Sequence, residues 1–241
     1  MSDAVALPRL AVRRGLRDAA AIVLLAGLLG VVLVVAIGTG PIALSPGRVL
    51  AALAAWAGLP VAADARDLAV VAVLRLPRTL MAALAGAVLG LAGAVMQGLF
   101  RNPLADPGLL GVSAGGAVGA VATIVLGAAL LPQPLRPYAT TIAAFLGALA
   151  VTLTVQRLAT VEGRVLIATM LLAGIVLNAL AGALTSAFVF AADDMQLRDI
   201  MFWTMGSCAG ASWPRLALVG SAALPLVLAA PRLARALDAL I

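Results

Sequence analysis

The sequence predicts an all-α fold, a polytopic bundle of transmembrane helices. Of its 241 residues, 64% are hydrophobic and only 11% are charged, whereas a soluble domain carries roughly a quarter charged residues. The mean hydropathy is +1.16. Several apolar runs are long enough to cross a bilayer, and the alternating pattern of a barrel strand is absent. Because backbone polar groups in lipid must be satisfied within their own segment, these runs are expected to be helices.

Six charge-free runs meet or approach the length of about 17 to 25 residues that a spanning helix needs. The first run is longer than the apolar core of a signal peptide and is followed by further spans, so it is expected to be retained. The last run is short and contains a proline, but Trp213 can anchor one of its ends at the interface. The predicted spans are Ala19–Ile37, Thr79–Phe100, Leu109–Leu131, Tyr138–Val155, Val165–Ala192 and Leu216–Ala230.

The segment Leu50–Val73 is apolar but is not counted as a span. Pro60, Asp64, Arg66 and Asp67 interrupt it. Charges at the centre of a bilayer are costly, and proline ends a helix. We therefore expect this segment to be interfacial or re-entrant.

The arginines set the predicted orientation. All 16 basic residues are arginines, and they divide almost evenly between the two sides of the membrane. The cluster Arg13, Arg14 and Arg17 precedes the first span, and such a cluster usually stays in the cytoplasm. We therefore expect residues 1–18 to be a cytoplasmic segment and both ends of a six-span chain to be inside. The net charge of +6 is interpreted as topology, because no basic stripe with interleaved aromatic residues indicates nucleic-acid binding.

Missing residue types restrict the chemistry. The chain has no histidine and no lysine, which excludes a phosphate loop of the Walker A type, a Schiff-base lysine, a Ser-His-Asp triad and a histidine-ligated metal or haem within it. We expect no catalytic residue, no metal and no cofactor in this chain. The single Cys208 is interpreted as a small hydrophobic residue. No acidic residue lies within the core of a predicted span, which argues against a proton relay.

Two arginines, Arg75 and Arg78, fall on the predicted outer side just before the second span. Ordinary snorkelling of their side chains at the interface would explain them. A basic contact for an acidic partner would explain them too, because guanidinium groups pair with carboxylates through two hydrogen bonds. Their spacing does not decide between the two interpretations.

The connection between the second and third predicted spans contains Pro103 and Pro107. Prolines stiffen a link, so the loop is either a rigid tight connection or, because it is rigid, part of a gate. The glycines of the two flanking spans recur at near four-residue spacing, which favours close helix packing. They are Gly86, Gly90 and Gly93, then Gly111, Gly115 and Gly119.

The fifth predicted span has a similar spacing with polar groups added, at Gly174, Asn178, Gly182 and Thr185. Helix packing and a face that lines a transport pathway both remain open for it. The charged segment that follows, Asp193–Asp199, is expected to be a short external helix.

The run from Leu74 to Gly119, which begins LRLPRTLMAALAG and contains RNPLADPGLLGVSAGG, resembles the signature of the FecCD family of permeases for iron-siderophore, haem and cobalamin uptake. Three further segments resemble the family: IGTGPIALSPGRVL, LLAGIVLNALAGALTSAF and ADDMQLRDIMFWTMGS. The last of these is most similar in sequence to the haem branch. The resemblance covers nearly the whole chain. It implies residues 19–241 to be a permease domain in a bacterial inner membrane.

Permeases of this family have ten spans, so the resemblance implies that this chain is C-terminally incomplete. It also implies a permease homodimer, two ATPase subunits that carry ATP and magnesium, and a periplasmic substrate-binding protein. Transport would proceed by alternating access, with no covalent chemistry in this chain. A secondary transporter, a membrane enzyme and a non-transporting scaffold or fragment are the competing functions.

The resemblance also assigns roles to individual residues of this sequence. Docking of the binding protein is implied for two arginines, a cytoplasmic gate for three residues, and a pathway lining for three more. These sets are Arg75 and Arg78; Asn102, Leu104 and Arg164; and Gly174, Asn178 and Gly182.

Overall fold

The structure is a computed structural model that describes residues 6–127 and 132–238. The first five residues of the predicted cytoplasmic segment, the last four of the third predicted span and residues 239–241 lie outside the described residues. The α-helices of the described ranges are α1 (Ala6–Gly38), α2 (Pro46–Trp56), α3 (Ala65–Ala69), α4 (Leu76–Phe100), α5 (Val112–Leu126), α6 (Ala139–Ala159), α7 (Ile167–Ala191), α8 (Asp194–Met205) and α9 (Trp213–Asp238).

Five stretches are long and apolar enough to cross a membrane, which confirms a polytopic helical protein. They are Ala19–Gly38, Ala65–Phe100, Ala139–Ala159, Ile167–Ala191 and Trp213–Arg232. The third predicted span is wrong in length. In place of Leu109–Leu131, a 3₁₀ turn at Pro107–Leu110 is followed by α5, which has 15 residues. Left-handed Gly111, with φ +80°, separates the turn from the helix, because only glycine adopts that conformation without cost.

The segment predicted to be interfacial or re-entrant divides into two parts with different structures. Its first part belongs to α2, whose N-cap Ser45 accepts a hydrogen bond from the Arg48 amide. Its second part begins a new helix at the N-cap Asp64 and continues through a π-helical turn, Val70–Arg75, directly into α4. The expectation is therefore wrong for Ala65–Val73, which extends the second span.

A two-residue antiparallel strand pair is the exception to the all-α prediction. β1 (Thr160–Val161) and β2 (Arg164–Val165) join α6 to α7. The turn residues Glu162 and Gly163 have φ of +51° and +77°, as a two-residue hairpin turn requires. The Glu-Gly pair, flanked on each side by a segment with a valine, is a local signal for this hairpin. The sequence analysis considered only membrane spans here and did not predict it.

The predicted short helix after the fifth span is confirmed as α8. Its N-cap Asp193 accepts hydrogen bonds from the amides of Met195 and Gln196, and the Gln196 side chain accepts in return from the Asp193 amide. This reciprocal arrangement satisfies the free donors of the first turn. The Gln196 amide group also donates to the Val125 carbonyl of α5 at 3.2 Å, so α8 is fastened to the end of that helix.

Contacts between α-carbons divide the chain into two compact units, each with its own core. One unit comprises residues 1–83 and 211–216, and the other comprises residues 84–210 and 217–241. The first core is formed by apolar side chains from the end of α1, the loop after it, α2, the π-helical turn and the first residue of α4: Ile37, Leu44, Val49, Ala52, Val71 and Leu76. The second joins the end of α4 and the following loop to α6 and α7: Met96, Ala105, Leu110, Val155, Ala159 and Met170.

Glycine allows α5 and α6 to approach closely in the second unit. A Cβ on Gly119 would overlap the Ala143 carbonyl, and one on Gly115 would lie 2.6 Å from the Gly147 carbonyl oxygen. Packing is therefore confirmed for the α5 glycines. It is wrong for Gly86, Gly90 and Gly93 within the described residues, because a Cβ on any of these would meet no atom within 4 Å.

Candidate functional site

Arg75 is hydrogen-bonded within the chain. Its Nη1 donates to the carbonyl of Ile37 at 2.6 Å and to that of Gly38 at 3.1 Å, and its Nη2 donates to the Ile42 carbonyl. Ile37 and Gly38 are the last residues of α1, where helix carbonyls have no intrahelical partner and carry partial negative charge. The guanidinium therefore caps α1 and ties it to the following loop.

Gly40 lies directly against this cap. A Cβ at this position would be 2.8 Å from Arg75 Nη2, and the backbone φ is +155°. Any side chain here would have to displace the guanidinium. The glycine in the Ile37–Pro41 segment thus makes room for the arginine that lies 35 residues further on.

A second arginine clamps α2 to α3. Arg48 Nε and Nη2 donate to the two carboxylate oxygens of Asp67 at 2.6 and 2.7 Å. The Asp67 side chain is 5% exposed and that of Arg48 is 52% exposed. Asp67 is the one buried charged residue in the described part of the chain, and this two-bonded pairing satisfies its carboxylate. The sequence singled out Asp67 only as an interruption of an apolar segment.

Arg78 differs from Arg75 in its surroundings. It is exposed, and within the described ranges no hydrogen bond or ion pair joins it to another residue. Its side chain lines a groove of about 410 Å³ between α1 and α4, together with Ala36 and Thr79. The two arginines that the sequence analysis grouped together therefore differ: Arg75 is hydrogen-bonded to backbone carbonyls, and the charge of Arg78 is exposed.

The loop after α4 is ordered by its own polar side chains. Asn102 Oδ1 accepts from the Leu104 amide at 2.9 Å, and Asp106 caps the 3₁₀ turn by accepting from the Gly108 amide. Leu104 is 84% exposed, whereas Ala105 is buried in the second core. The loop therefore projects Leu104 outward from an anchored base.

Arg164, the third predicted gate residue, lies on β2 and is exposed. Ala159 at the end of α6 and Met170 on α7 share the second core with Ala105. The hairpin and the loop are therefore attached to a common core. Among the described residues no hydrogen bond or ion pair links Arg164 to Asn102.

The three predicted pathway residues of α7 lie in different environments. Gly174 is buried, and a Cβ there would overlap the Leu109 carbonyl. Asn178 Nδ2 donates to the Gly108 carbonyl at 3.3 Å. Gly182 is exposed, with no atom within 4 Å of a Cβ built on it. The structure brings Gly174 and Asn178 together against the 3₁₀ turn and leaves Gly182 on an open part of the helix.

The first unit contains an aromatic pair that the sequence did not predict. The rings of Trp56 and Trp213 stack at a centroid distance of 5.6 Å. Trp213 Nε1 also donates to the Ala72 carbonyl at 3.0 Å. The sequence suggested only an interfacial anchor for Trp213, and no local pattern pairs it with a residue 157 positions earlier.

A cavity of about 560 Å³ opens among α5, α6 and α7, lined by apolar residues that include Leu126, Ile142 and Phe188. Among its described lining residues the one hydroxyl, that of Thr123, donates to the Gly119 carbonyl at 2.8 Å. No group of three His, Cys, Asp or Glu side chains that could hold a metal ion occurs in residues 6–127 and 132–238.

The chain belongs to the FecCD transport family, whose model matches residues 28–241. It is 44% identical over 152 residues to the hemin transport system permease protein HmuU of Yersinia pestis, covering 63% of this chain and 45% of that one. It is 43% identical over 160 residues to the cobalamin import system permease protein BtuC of Halobacterium salinarum, covering 66% and 40%. The chain thus spans under half the length of these relatives, and the similar identities do not separate haem from cobalamin.

The fold has a solved counterpart. An inward-facing structure assigned to the metal-chelate type of ABC transporter matches with a TM-score of 0.65 and 28% identity, covering 87% of this chain and 62% of that one. The helical permease fold is therefore confirmed.

Proposed function

We propose that this chain forms part of the permease subunit of an ABC importer in the bacterial inner membrane. The subunit would move an iron chelate, haem or ferric siderophore, or cobalamin from the periplasm to the cytoplasm. The observation that carries the proposal is the family match over residues 28–241, supported by relatives described as hemin and cobalamin permeases. Among these substrates we favour haem, because the sequence of the Asp193–Ser207 region is most similar to that of the haem branch of the family.

In this proposal, partner subunits supply the energy for transport. The sequence has no lysine for a phosphate loop, so separate ATPase subunits bind and hydrolyse ATP with magnesium. Two permease subunits form a homodimer around one pathway, and a periplasmic binding protein delivers the ligand. ATP binding rocks the two subunits between outward and inward states. This chain supplies surfaces and moving parts, and no covalent step occurs in it.

The residues take three roles. Arg78, exposed and without a hydrogen-bond or ion-pair partner among the described residues, offers charge to an acidic binding protein, and Arg75 belongs to the same docking region. Asn102, Leu104 and Arg164 form a cytoplasmic gate, which the self-capped loop supports because a rigid base lets Leu104 act as a projecting plug. Gly174, Asn178 and Gly182 line the pathway on α7, and the open surface at Gly182 is the strongest support for that role.

A chimera tests this function without depending on where the chain begins or ends. Residues 28–241 replace the matching part of the Yersinia pestis hemin permease, and the product is reconstituted with its ATPase and binding protein in proteoliposomes. Uptake of haemin, a ferric siderophore and cobalamin is measured with ATP, and separately with a proton gradient alone. An ATPase that cannot hydrolyse ATP is the control.

We expect ATP-dependent uptake of one of these ligands. Uptake driven by the proton gradient without ATP would favour a secondary transporter instead. Absence of any uptake from a chimera that inserts and binds its ATPase would contradict the proposal.

A further inference from the structure

Pro77 interrupts the backbone hydrogen bonds of the second span directly after the π-helical turn Val70–Arg75. In such a turn each amide donates to the carbonyl five residues back, as the Leu76 amide does to the Val71 carbonyl. The next bond of this series would join the amide of residue 77 to the Ala72 carbonyl. Proline has no amide hydrogen, so the Ala72 carbonyl lacks a donor within its own helix.

An indole supplies the missing donor. Trp213 Nε1, at the start of α9, donates to the Ala72 carbonyl at 3.0 Å. The ring that carries this donor is held in place by stacking on Trp56. Backbone carbonyls away from water need a partner, and lipid offers none. A side chain 141 residues further along the sequence thus replaces the amide that Pro77 lacks.

The indole bond distinguishes two hydrogen-bond registers of the second span. In the π register, which the structure has, the Ala72 carbonyl receives only the indole. In an α register the Leu76 amide would donate to Ala72, four residues back, and the carbonyl left without a donor by Pro77 would be that of Val73. Satisfying an orphaned carbonyl stabilises more than adding a second bond to a satisfied one. Trp213 therefore favours the π register.

A change of register would rotate α4 about its own axis. The π-helical turn contains one residue more than an α-helical turn, and one residue corresponds to about 100° of rotation in an α-helix. The part of the chain before the rotation is fixed, because Val71 is fully buried in the first core and Asp67 on α3 is paired with Arg48. The rotation would therefore fall on α4.

We propose that Trp213 sets the register of the second span. With the indole on the Ala72 carbonyl the π-helical turn persists, and when the indole withdraws the turn relaxes towards the more common α-helical form and α4 rotates. Such a two-state element, biased by a residue from another helix, is the physical requirement for coupling between the two. A movement at the start of α9 is thereby converted into a rotation of the second span.

Distances between two spin labels test the rotation. The labels are attached to Leu50→Cys on α2 and Ala82→Cys on α4, both exposed in the first unit, in a Cys208→Ala background of the full chain in lipid nanodiscs. We expect Trp213→Phe to raise the ratio of α to π register about tenfold, seen as a second distance.

The substitution is chosen to isolate the donor. Phenylalanine keeps a ring on Trp56 and over the Ala72 carbonyl, so the hydrogen bond is lost without opening the site to water. Trp203→Phe in the second unit is the matched control and should leave the distance unchanged. An unchanged distance distribution in Trp213→Phe would overturn the proposal.

Pro77→Ala provides an independent variant, because it restores an amide at residue 77. That amide donates to Ala72 in the π register and to Val73 in the α register, so neither register then depends on the indole. By itself the change should increase the α register, and in its background Trp213→Phe should alter the ratio by no more than about twofold. An equal response to Trp213→Phe in both backgrounds would show that the indole acts by packing alone, and the proposal would be wrong.

Nuclear magnetic resonance of the indoles tests the hydrogen bond with Trp213 intact. The sequence has three tryptophans, so isotopic labelling of this residue type gives a spectrum simple enough to assign by substitution. We expect the Nε1 hydrogen of Trp213 to exchange slowly in the wild type and roughly tenfold faster in Pro77→Ala, because the new amide competes for the same carbonyl. Equal exchange rates in the two would mean that the indole does not replace the missing amide.

Discussion

The indole rings of Trp56, at the end of α2, and Trp213, at the start of α9, are stacked almost parallel, with an interplanar angle of 7°. They come from opposite ends of the sequence and both belong to the first unit. Trp213 is fixed further by its hydrogen bond to Ala72. The pair therefore ties the start of α9 to α2 and to the π-helical turn.

Removing the hydrogen bond from Trp213 to the Ala72 carbonyl is expected to lower the stability of the first unit. Trp213→Phe keeps an aromatic ring on Trp56 but removes the donor to Ala72, and it should lower the free energy of unfolding by about 1 kcal/mol. Trp56→Ala should cost more, because the stacking and the buried area are both lost. Thermal unfolding in nanodiscs measures both. Trp203→Phe in the second unit is the control, and an equal loss there would mean that the effect is not due to the pair.

The Arg48–Asp67 pair should respond asymmetrically to mutation. Arg48→Ala leaves a buried carboxylate without its partner and is expected to cost about 2 kcal/mol. Asp67→Asn leaves a cation that is already half exposed, so its cost should be smaller. The combined change, Arg48→Ala with Asp67→Asn, should recover part of the loss. Denaturant unfolding of the three variants checks this order, and a larger cost for Asp67→Asn would contradict it.

Two sets of glycines should tolerate alanine differently. Gly119→Ala places a methyl group against the α6 backbone and should destabilise the chain by about 1 to 3 kcal/mol. Gly90→Ala meets open space and should be neutral or slightly stabilising, because alanine favours helix. Unfolding of the purified chain in mild detergent compares them. Equal sensitivity at both positions would show that the α4 face is packed in a way the described chain does not reveal.

Cysteine labelling tests the predicted topology. In a Cys208→Ala background, Glu162→Cys on the hairpin turn should react only with a reagent that reaches the cytoplasm, and Asp194→Cys on α8 should react from outside. These positions lie at the two ends of α7, so opposite sidedness is expected for a spanning helix. Labelling of both from the same side would exclude α7 as a span.

Substitutions on α7 separate a pathway from a packing role. Gly182→Trp extends into open space, so in the transport chimera it should block uptake while insertion and folding remain normal. Asn178→Leu removes the hydrogen bond to Gly108 and should reduce stability by about 1 kcal/mol, whether or not the pathway passes here. Full uptake by a folded Gly182→Trp variant would remove Gly182 from the pathway.

Sequence reasoning succeeded where the signal was local. Apolar runs gave four of the long spans to within four residues at each end, and the charged segment Asp193–Asp199 gave α8, because hydrophobicity and charge are local properties of a few neighbouring residues. The length of the third span was missed because apolar composition alone does not show that left-handed Gly111 and the 3₁₀ turn delay the helix.

The site was less predictable, because its contacts join distant parts of the chain. The Arg75 cap depends on carbonyls 33 to 38 residues away, and no side-chain pattern marks a backbone acceptor. The α4 glycines have a spacing similar to that of the α5 glycines, yet within the part of the chain that the structure describes only the α5 glycines have a close neighbour. Periodicity identifies a face that can pack closely, but it does not identify what packs on it.

The shortness of α5 has a consequence for how the chain enters the membrane. At 1.5 Å per residue, its 15 residues span about 22 Å, less than the roughly 30 Å of hydrocarbon. Such hydrophobic mismatch makes a lone segment a poor insertion signal. The glycine contacts bring its backbone against carbonyls of α6, where Cα–H groups can donate weak hydrogen bonds. Helix α5 is thus expected to insert into the membrane together with α6, as a helical hairpin in which packing against α6 keeps α5 in the bilayer.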